Sequence, residues 1–207
     1  MTLLLLIRHG RTEWNEAGRT QGQKDSPLTA AARAETAAWR LPEGYEAADW
    51  IVSPLGRARQ TAALLGRAEA AIEPRLAEMS WGEWEGRRLA ELRAELGEDM
   101  VELEARGLDF RPPGGESPRD LQARLRPLFR RLAAAGRPTV AVAHKGVIRA
   151  TYALAADWDM KGPPPVKLRN DVAQEFLLDP EGLPVAGRLN IRLAPAQAVT
   201  GGGADDG

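Results

Sequence analysis

The sequence predicts an α/β sandwich built around a largely parallel sheet. Three observations lead there. Thr2–Ile7 and Thr139–Ala143 are short apolar runs with the length of buried strands. Stretches with helical patterning and capping residues separate the strand candidates. That alternation is the mark of strand–helix units, in which helices cover a parallel sheet. With 207 residues the chain is long enough to bury a sizeable core.

Taken in order, Thr2–Ile7 is a strand ended by the turn Arg8-His9-Gly10. Asp25-Ser26-Pro27 is a turn, and Thr29 caps a helix running to about Arg40. Trp50–Val52 is a short strand. Ser53-Pro54 reads as an N-cap followed by proline in the first helical position, opening a helix through Arg57 to about Gly66. Ile72–Leu76 is a further short strand, and Glu78–Gly86 a loop with two tryptophans. Arg87–Leu96 and Asp99–Arg106 are helical. After the break Arg111-Pro112-Pro113-Gly114-Gly115, Ser117-Pro118-Arg119-Asp120 resembles a capping box that opens a helix to about Ala135. Thr139–Ala143 is the second strong strand, and Gly146–Ala156 is helical. Gly162–Pro165 is a loop; Val172–Leu178 and Arg188–Leu193 are late strands. The tail 194–207 is expected to be disordered. Residues 1–193 form a single domain in this reading. Segment 86–130 is too helical and too long for a plain crossover, and is expected to form a helical cap over the pocket.

A net charge of −1 gives no sign of a nucleic-acid partner or a membrane surface. The absence of cysteine excludes disulfides, thiolate catalysis and zinc–thiolate sites. Leu3–Ile7 is far too short for the apolar region of a signal peptide, and no stretch is long enough to cross a bilayer. The expectation is a soluble, cytoplasmic protein, with homodimerisation left open.

The chain has two histidines, and both follow strand candidates. His9 lies between Arg8 and Gly10, and His144 precedes Lys145-Gly146. Ligands of α/β sheets bind beyond the carboxyl ends of the strands, so Arg8, His9, Ser53 and His144 could converge there. A phosphate needs donors around its oxygens and compensation for its charge. Arginine grips two oxygens at once, and Arg8 and Arg57 are the candidates. Arg57 is preferred to Arg59, which turns to another face of its helix. Free backbone N–H groups at that helix end would add donors. His9 is the candidate nucleophile, kept neutral by the nearby arginines. Its attack on phosphorus would divide one hard step into two. His144 could donate a hydrogen bond to the transferred group. A carboxyl must protonate the leaving alcohol. Glu78, near Met79, Trp81 and Trp84, suits that role, while Glu83 and Glu85 remain rivals.

Each residue also has a bland reading. A lone strand-end histidine is more often a satisfied core residue, and a helix arginine is usually solvated. Asn15 could merely cap a turn, and Trp81 and Trp84 could merely pack. The ordered set outweighs these. Arg8-His9-Gly10 with Thr12 and Asn15, Gln21-Gly22, Ser26-Pro27-Leu28-Thr29 and Ser53-Pro54-Leu55-Gly56-Arg57-Ala58 come first. Glu78 with Gly82 and Trp84-Glu85-Gly86, Gly114-Gly115-Glu116-Ser117, and His144 with Gly146-Val147-Ile148-Arg149 complete it. In this order the chain resembles the histidine phosphatase superfamily, also called the phosphoglycerate mutase-like family.

The resemblance implies a three-layer α/β/α sandwich and a phosphorylated His9, with Glu78 as proton donor. It implies that Arg8, Arg57 and His144 hold the phosphoryl group with help from Asn15. Gln21 and Gly22 match positions on the substrate side of the pocket. No metal or other cofactor is implied, and the expected partner is a small-molecule phosphate ester. Lys145 stands where relatives usually carry a small residue, and reads either as a further substrate contact, to a phosphate or carboxylate, or as a side chain that simply reaches solvent. Arg11 stands where many carry an acid. The Gly82–Gly86 loop resembles the phosphatase branch, so phosphatase is the first reading. Phosphoglycerate mutase is the second, and a catalytically silent phospho-ligand binder the third.

Overall fold

The computed structural model describes residues 1–193; the tail from 194, expected to be disordered, lies outside them. Strand β1 (Thr2–Arg8) is the centre of the sheet. Its side chains alternate between two cores. Leu4 and Leu6 face one layer of helices, and Leu5 and Ile7 face the other. A strand buried on both faces reads as an unbroken apolar run, which is how this one appears in the sequence.

Strands β2 (Asp49–Val52), β3 (Ala71–Ile72) and β4 (Thr139–Ala143) join β1 in parallel, and β5 (Val172–Leu178) pairs with β1 antiparallel. Strands β6 (Pro184–Ala186) and β7 (Ile191–Arg192) both pair with β5 antiparallel. The order is β3-β2-β4-β1-β5-β6. The parallel half therefore carries an antiparallel extension.

Helix α1 (Glu13–Glu16) is a single turn after the β1 end. Helices α2 (Ala30–Ala38) and α3 (Gly56–Leu64) pack on each other, and α3 also packs on β2 and β4. Helices α4 (Leu89–Leu96) and α5 (Glu98–Glu104) are separated by Gly97. Helices α6 (Pro118–Ala135) and α7 (Lys145–Ala155) pack together in the other layer, where Leu125, Leu128 and Phe129 meet Leu4 and Leu6. Ser117 and Asp120 form the capping box of α6, and Thr29 caps α2, both as read from the sequence.

Three local expectations need correction. Ser53 does not cap α3: the N-cap is Leu55, and Asp25 accepts from the backbone N–H of both Gly56 and Arg57. The expected strand Ile72–Leu76 stops at Ile72. Pro74 has no N–H to give a ladder, and Glu73 caps a 3-10 turn over Pro74–Leu76. The expected late strand Arg188–Leu193 is reduced to Ile191–Arg192, with the short β6 before it.

Candidate active site

Strand register brings the key residues to one level. Arg8 pairs with Ala143, and Val52 with Val142. His9, His144 and Ser53 are thus the next residues on three adjacent parallel strands. The His9 N–H donates to Ala143 O and the Ser53 N–H to Val142 O, both at 3.0 Å. The two imidazole centroids lie 5.1 Å apart. His9 is 4% exposed, and His144 and Arg57 are 0% and 1% exposed.

The hydrogen bonds of His9 define its tautomer. Nδ1 lies 2.8 Å from Gly10 O, which can only accept, so Nδ1 carries the proton. Nε2 keeps its lone pair and accepts from Arg57 Nε at 3.3 Å. Burial holds His9 well below the usual imidazole value of 6.5, and Arg8 and Arg57 push in the same direction. The ring is neutral at pH 7.

His144 is fixed by Ser53. Its Nε2 lies 2.7 Å from Ser53 Oγ, which also accepts from Leu55 N–H at 3.3 Å. The arrangement that spends the buried serine proton has Ser53 donating to Nε2. The His144 proton is then on Nδ1, which is buried and has no protein partner. Burial holds His144 too well below 6.5, followed by His9, Arg57 and Arg8. Arg8 is similarly incomplete. Its Nη1 donates to Asn170 Oδ1, but its buried Nε has no acceptor.

Arg57 differs from the sequence expectation of a free fork. Its Nη1 donates to Lys24 O at 2.8 Å and to Asp25 Oδ1 at 2.9 Å, and its Nη2 to Gly22 O at 2.7 Å. Asp25 also occupies the end of α3, so the backbone donors expected there to be free are already taken. What Arg57 presents to the site is chiefly Nε–H. Arg59 is exposed, as its helical offset required.

Glu78 stands over the same pocket. Its Oε1 accepts from Met79 N–H at 2.8 Å, and its Oε2 from Gly146 N–H at 3.0 Å, in the first turn of α7. A Cβ at residue 146 would come within 2.3 Å of Glu78 Oε1, so only glycine permits this approach. Arg124 holds the loop from behind, donating to Ala77 O and Glu78 O while pairing with Glu116. Of the two rivals, Glu83 is exposed. Glu85 accepts from the N–H groups of Gln23, Lys24 and Trp81 and pins their loops together. Neither lines the pocket.

The pocket is a cavity of about 580 Å³ lined by Arg8, His9, Asn15, Gln21, Gly22, Arg57, Glu78 and Lys145, among others. Met79, Trp81, Leu89 and Phe110 give it an apolar wall, with α4, the α5 end and the turn at 107–109 on the outer side. A second cavity of about 400 Å³ shares Arg8, His9, Asn15 and Lys145 with it, and adds Arg11, Glu16, Asn170 and Asp171. His144 is beside His9 and is not among the residues that line either cavity. Asn15 spends Oδ1 on Thr12 N–H in the α1 capping box, which leaves its Nδ2 as donor. Gln21 is buried, and its Oε1 lacks a partner. Gly22 has φ +56°, and its carbonyl anchors Arg57.

A family profile, the histidine phosphatase superfamily (branch 1), matches residues 4–190. The chain belongs to the histidine phosphatase superfamily. It is 34% identical to a 2,3-bisphosphoglycerate-dependent phosphoglycerate mutase of Methylobacterium radiotolerans, over 86% of this chain and 90% of the relative. It is also 34% identical to the glucosyl-3-phosphoglycerate phosphatase of Mycobacterium tuberculosis, over 77% and 79%. The solved structure of a mycobacterial glucosyl-3-phosphoglycerate phosphatase in complex with VO3 superimposes with a TM-score of 0.75 at 30% identity, covering 94% of this chain and all of that one. These histidine phosphatase relatives thus include both mutases and phosphatases.

Sequence reasoning missed two contributors. Asp25 clamps Arg57 from 32 residues away, and Asn170 holds Arg8 from 162 residues away. Ser53 was placed at the site, but with the wrong partner. No local pattern marks the first two. Among the described residues there is no group of three or more His, Asp or Glu that could hold a metal ion, and no helix long and apolar enough to cross a membrane.

Proposed function

We propose that this protein is a metal-independent phosphomonoester phosphatase that acts on a small phosphorylated metabolite through a phosphohistidine on His9. One observation carries the reading: an unprotonated ring nitrogen, His9 Nε2, held only by Arg57 Nε–H, sits with two buried donors that lack acceptors, Arg8 Nε and His144 Nδ1. Buried donors are rarely left unpaired, and phosphoryl oxygens are the acceptors that would complete them.

In the first step His9 Nε2 attacks phosphorus and forms the N–P bond. The ester P–O bond breaks, and Glu78 in its protonated form delivers the proton to the leaving oxygen. The Arg57 Nε–H passes from His9 Nε2 to a phosphoryl oxygen. Arg8 and His144 Nδ1 bind the others, with Asn15 Nδ2 assisting. The phosphorylated ring keeps its Nδ1 proton against Gly10 O. In the second step Glu78 as carboxylate takes a proton from water, the water oxygen bonds to phosphorus, and the N–P bond breaks. Gln21, Gly22 and Lys145 contact the alcohol portion, and the helices of segment 86–130 nearest the pocket act as its cap.

The relatives named as mutases support a second reading, phosphoryl return to a phosphoglycerate. A mutase must keep water from its phosphoenzyme. Here His9 borders two cavities, so a substrate in one leaves the other as a path for water. That favours hydrolysis. The test is a panel of phosphorylated metabolites in excess chelator, scored for released phosphate and for interconversion of 2- and 3-phosphoglycerate. Phosphate release that persists with chelator is expected. Interconversion far exceeding release would make the mutase reading the correct one, and loss with chelator would contradict the metal-free mechanism.

A further inference from the structure

Of the arginines that line this pocket, Arg57 pairs with Asp25 and Arg93 with Glu104; close by, Arg124 pairs with Glu116 and Arg11 with Asp171. Lys145, Arg149 and Arg169 are different. Among the described residues none of the three pairs with a carboxylate. They meet with Arg8 around a narrow crevice of about 30 Å³ at the shoulder of the main cavity, and no Asp or Glu lines it. Lys145 and Arg149 also line the main cavity with His9.

The arrangement is built rather than incidental. Lys145 and Arg149 are four residues apart on α7, so they share a face and stand about 6 Å apart along the axis. The Arg149 guanidinium lies over the Trp158 ring, 5.0 Å from its centroid, which holds it in place without neutralising it. Lys145 keeps its outer surface exposed, yet partial burial lowers its affinity for its proton; Arg8 and Arg149 lower it further, and Glu78 opposes them. Burial likewise lowers the affinity of Arg149 for its proton. The cations repel one another, and an anion between them would relieve that cost. The transferred phosphoryl group cannot serve all of them. It is held at His9 by Arg8, Arg57 and His144, whereas Arg149 lies a full helical turn beyond Lys145.

We infer that Lys145, Arg149 and Arg169 form a second anion subsite, and that the preferred substrate is a phosphate monoester whose alcohol portion carries a further anionic group, a carboxylate or a second phosphate. The inference rests on the proposed phosphatase activity and deepens it.

The test compares matched esters on the full chain. 3-Phosphoglycerate is set against glycerol 3-phosphate for the carboxylate, and fructose 1,6-bisphosphate against fructose 6-phosphate for the phosphate. At least one anionic member should exceed its neutral match in kcat/KM by roughly ten-fold or more, the effect of a charge-assisted hydrogen bond. The pair that shows the preference identifies the group. The preference should arise mainly in KM and collapse in the Lys145→Met/Arg149→Met double variant; methionine preserves the apolar stems. Hydrolysis of all four esters without preference would overturn the inference and leave the phosphatase reading standing, as would a preference undiminished in the double variant. No hydrolysis of any ester, together with no labelling of His9, would remove the phosphatase reading and the inference with it. The preference of the unmutated protein decides the matter if the double variant fails to fold.

Discussion

Ser53→Ala removes one oxygen, and the structure fixes what that oxygen does. Ser53 and His144 are both fully buried, and the 2.7 Å contact between them is the only protein hydrogen bond of the His144 ring among the described residues. Its loss leaves Nε2 unsatisfied, which costs about 1–3 kcal/mol of stability. The catalytic effect is separate. Without the serine hydroxyl nothing holds the proton on Nδ1, and the ring no longer presents a fixed donor to the transferred group. Loss of one preorganised donor lowers kcat by roughly 10²-fold, while KM should change by only a few-fold. Steady-state turnover of p-nitrophenyl phosphate measures both constants. Nitrogen-15 NMR reports the tautomer directly, since the chain has only two histidines. Ser53→Thr retains the hydroxyl and should restore both the tautomer and most of kcat. A folded Ser53→Ala protein with kcat within about three-fold of the original would refute this reasoning. So would an NMR spectrum placing the His144 proton on Nε2 in the unmutated protein.

Both histidines bind protons less readily folded than unfolded, so the unfolded chain holds more protons below pH 6.5. Stability is therefore fully present above that value and is lost as pH falls below it, by up to about 1.4 kcal/mol per pH unit for each histidine. Thermal melts should show this slope, reduced in His9→Asn; melting temperatures flat from pH 7 to pH 5 would contradict it. Gly146→Ala forces a Cβ within 2.3 Å of Glu78 Oε1 and should slow alkyl esters more than aryl esters, whose leaving group scarcely needs a proton. Equal losses on both would argue against Glu78 as the acid. Asp25→Asn weakens an ion pair and a helix cap together. It should cost about 1 kcal/mol in denaturant titrations and raise KM for all esters, and an unchanged KM would separate Asp25 from Arg57 positioning.

The parts of the fold that build the site were legible because they are short and strongly patterned. Thr2–Ile7 and Thr139–Ala143 are buried on both faces, so no polar alternation blurs them, and a histidine follows each within two residues. The α6 capping box was also readable, since its reciprocal bonds need only neighbours in sequence. Strand β6 was not. It has three residues, begins with proline, and is held by pairing with β5 rather than by its own pattern. Ser53 shows a subtler limit. Ser-Pro before a helix resembles an N-cap, but the hydroxyl serves a histidine 91 residues away, and Asp25 takes over the cap. The residue types of the site could be read locally. Which donors are already spent, as in Arg57, and which are still free, as in His144 Nδ1, depends on contacts made across the chain.

The most direct measurement is rapid acid-free quenching of the protein with a 32P-labelled phosphate ester, followed by peptide mapping. The account expects transient, acid-labile label on His9 at Nε2, and none in His9→Ala. Label on another residue, or phosphate release undiminished in His9→Ala, would contradict it.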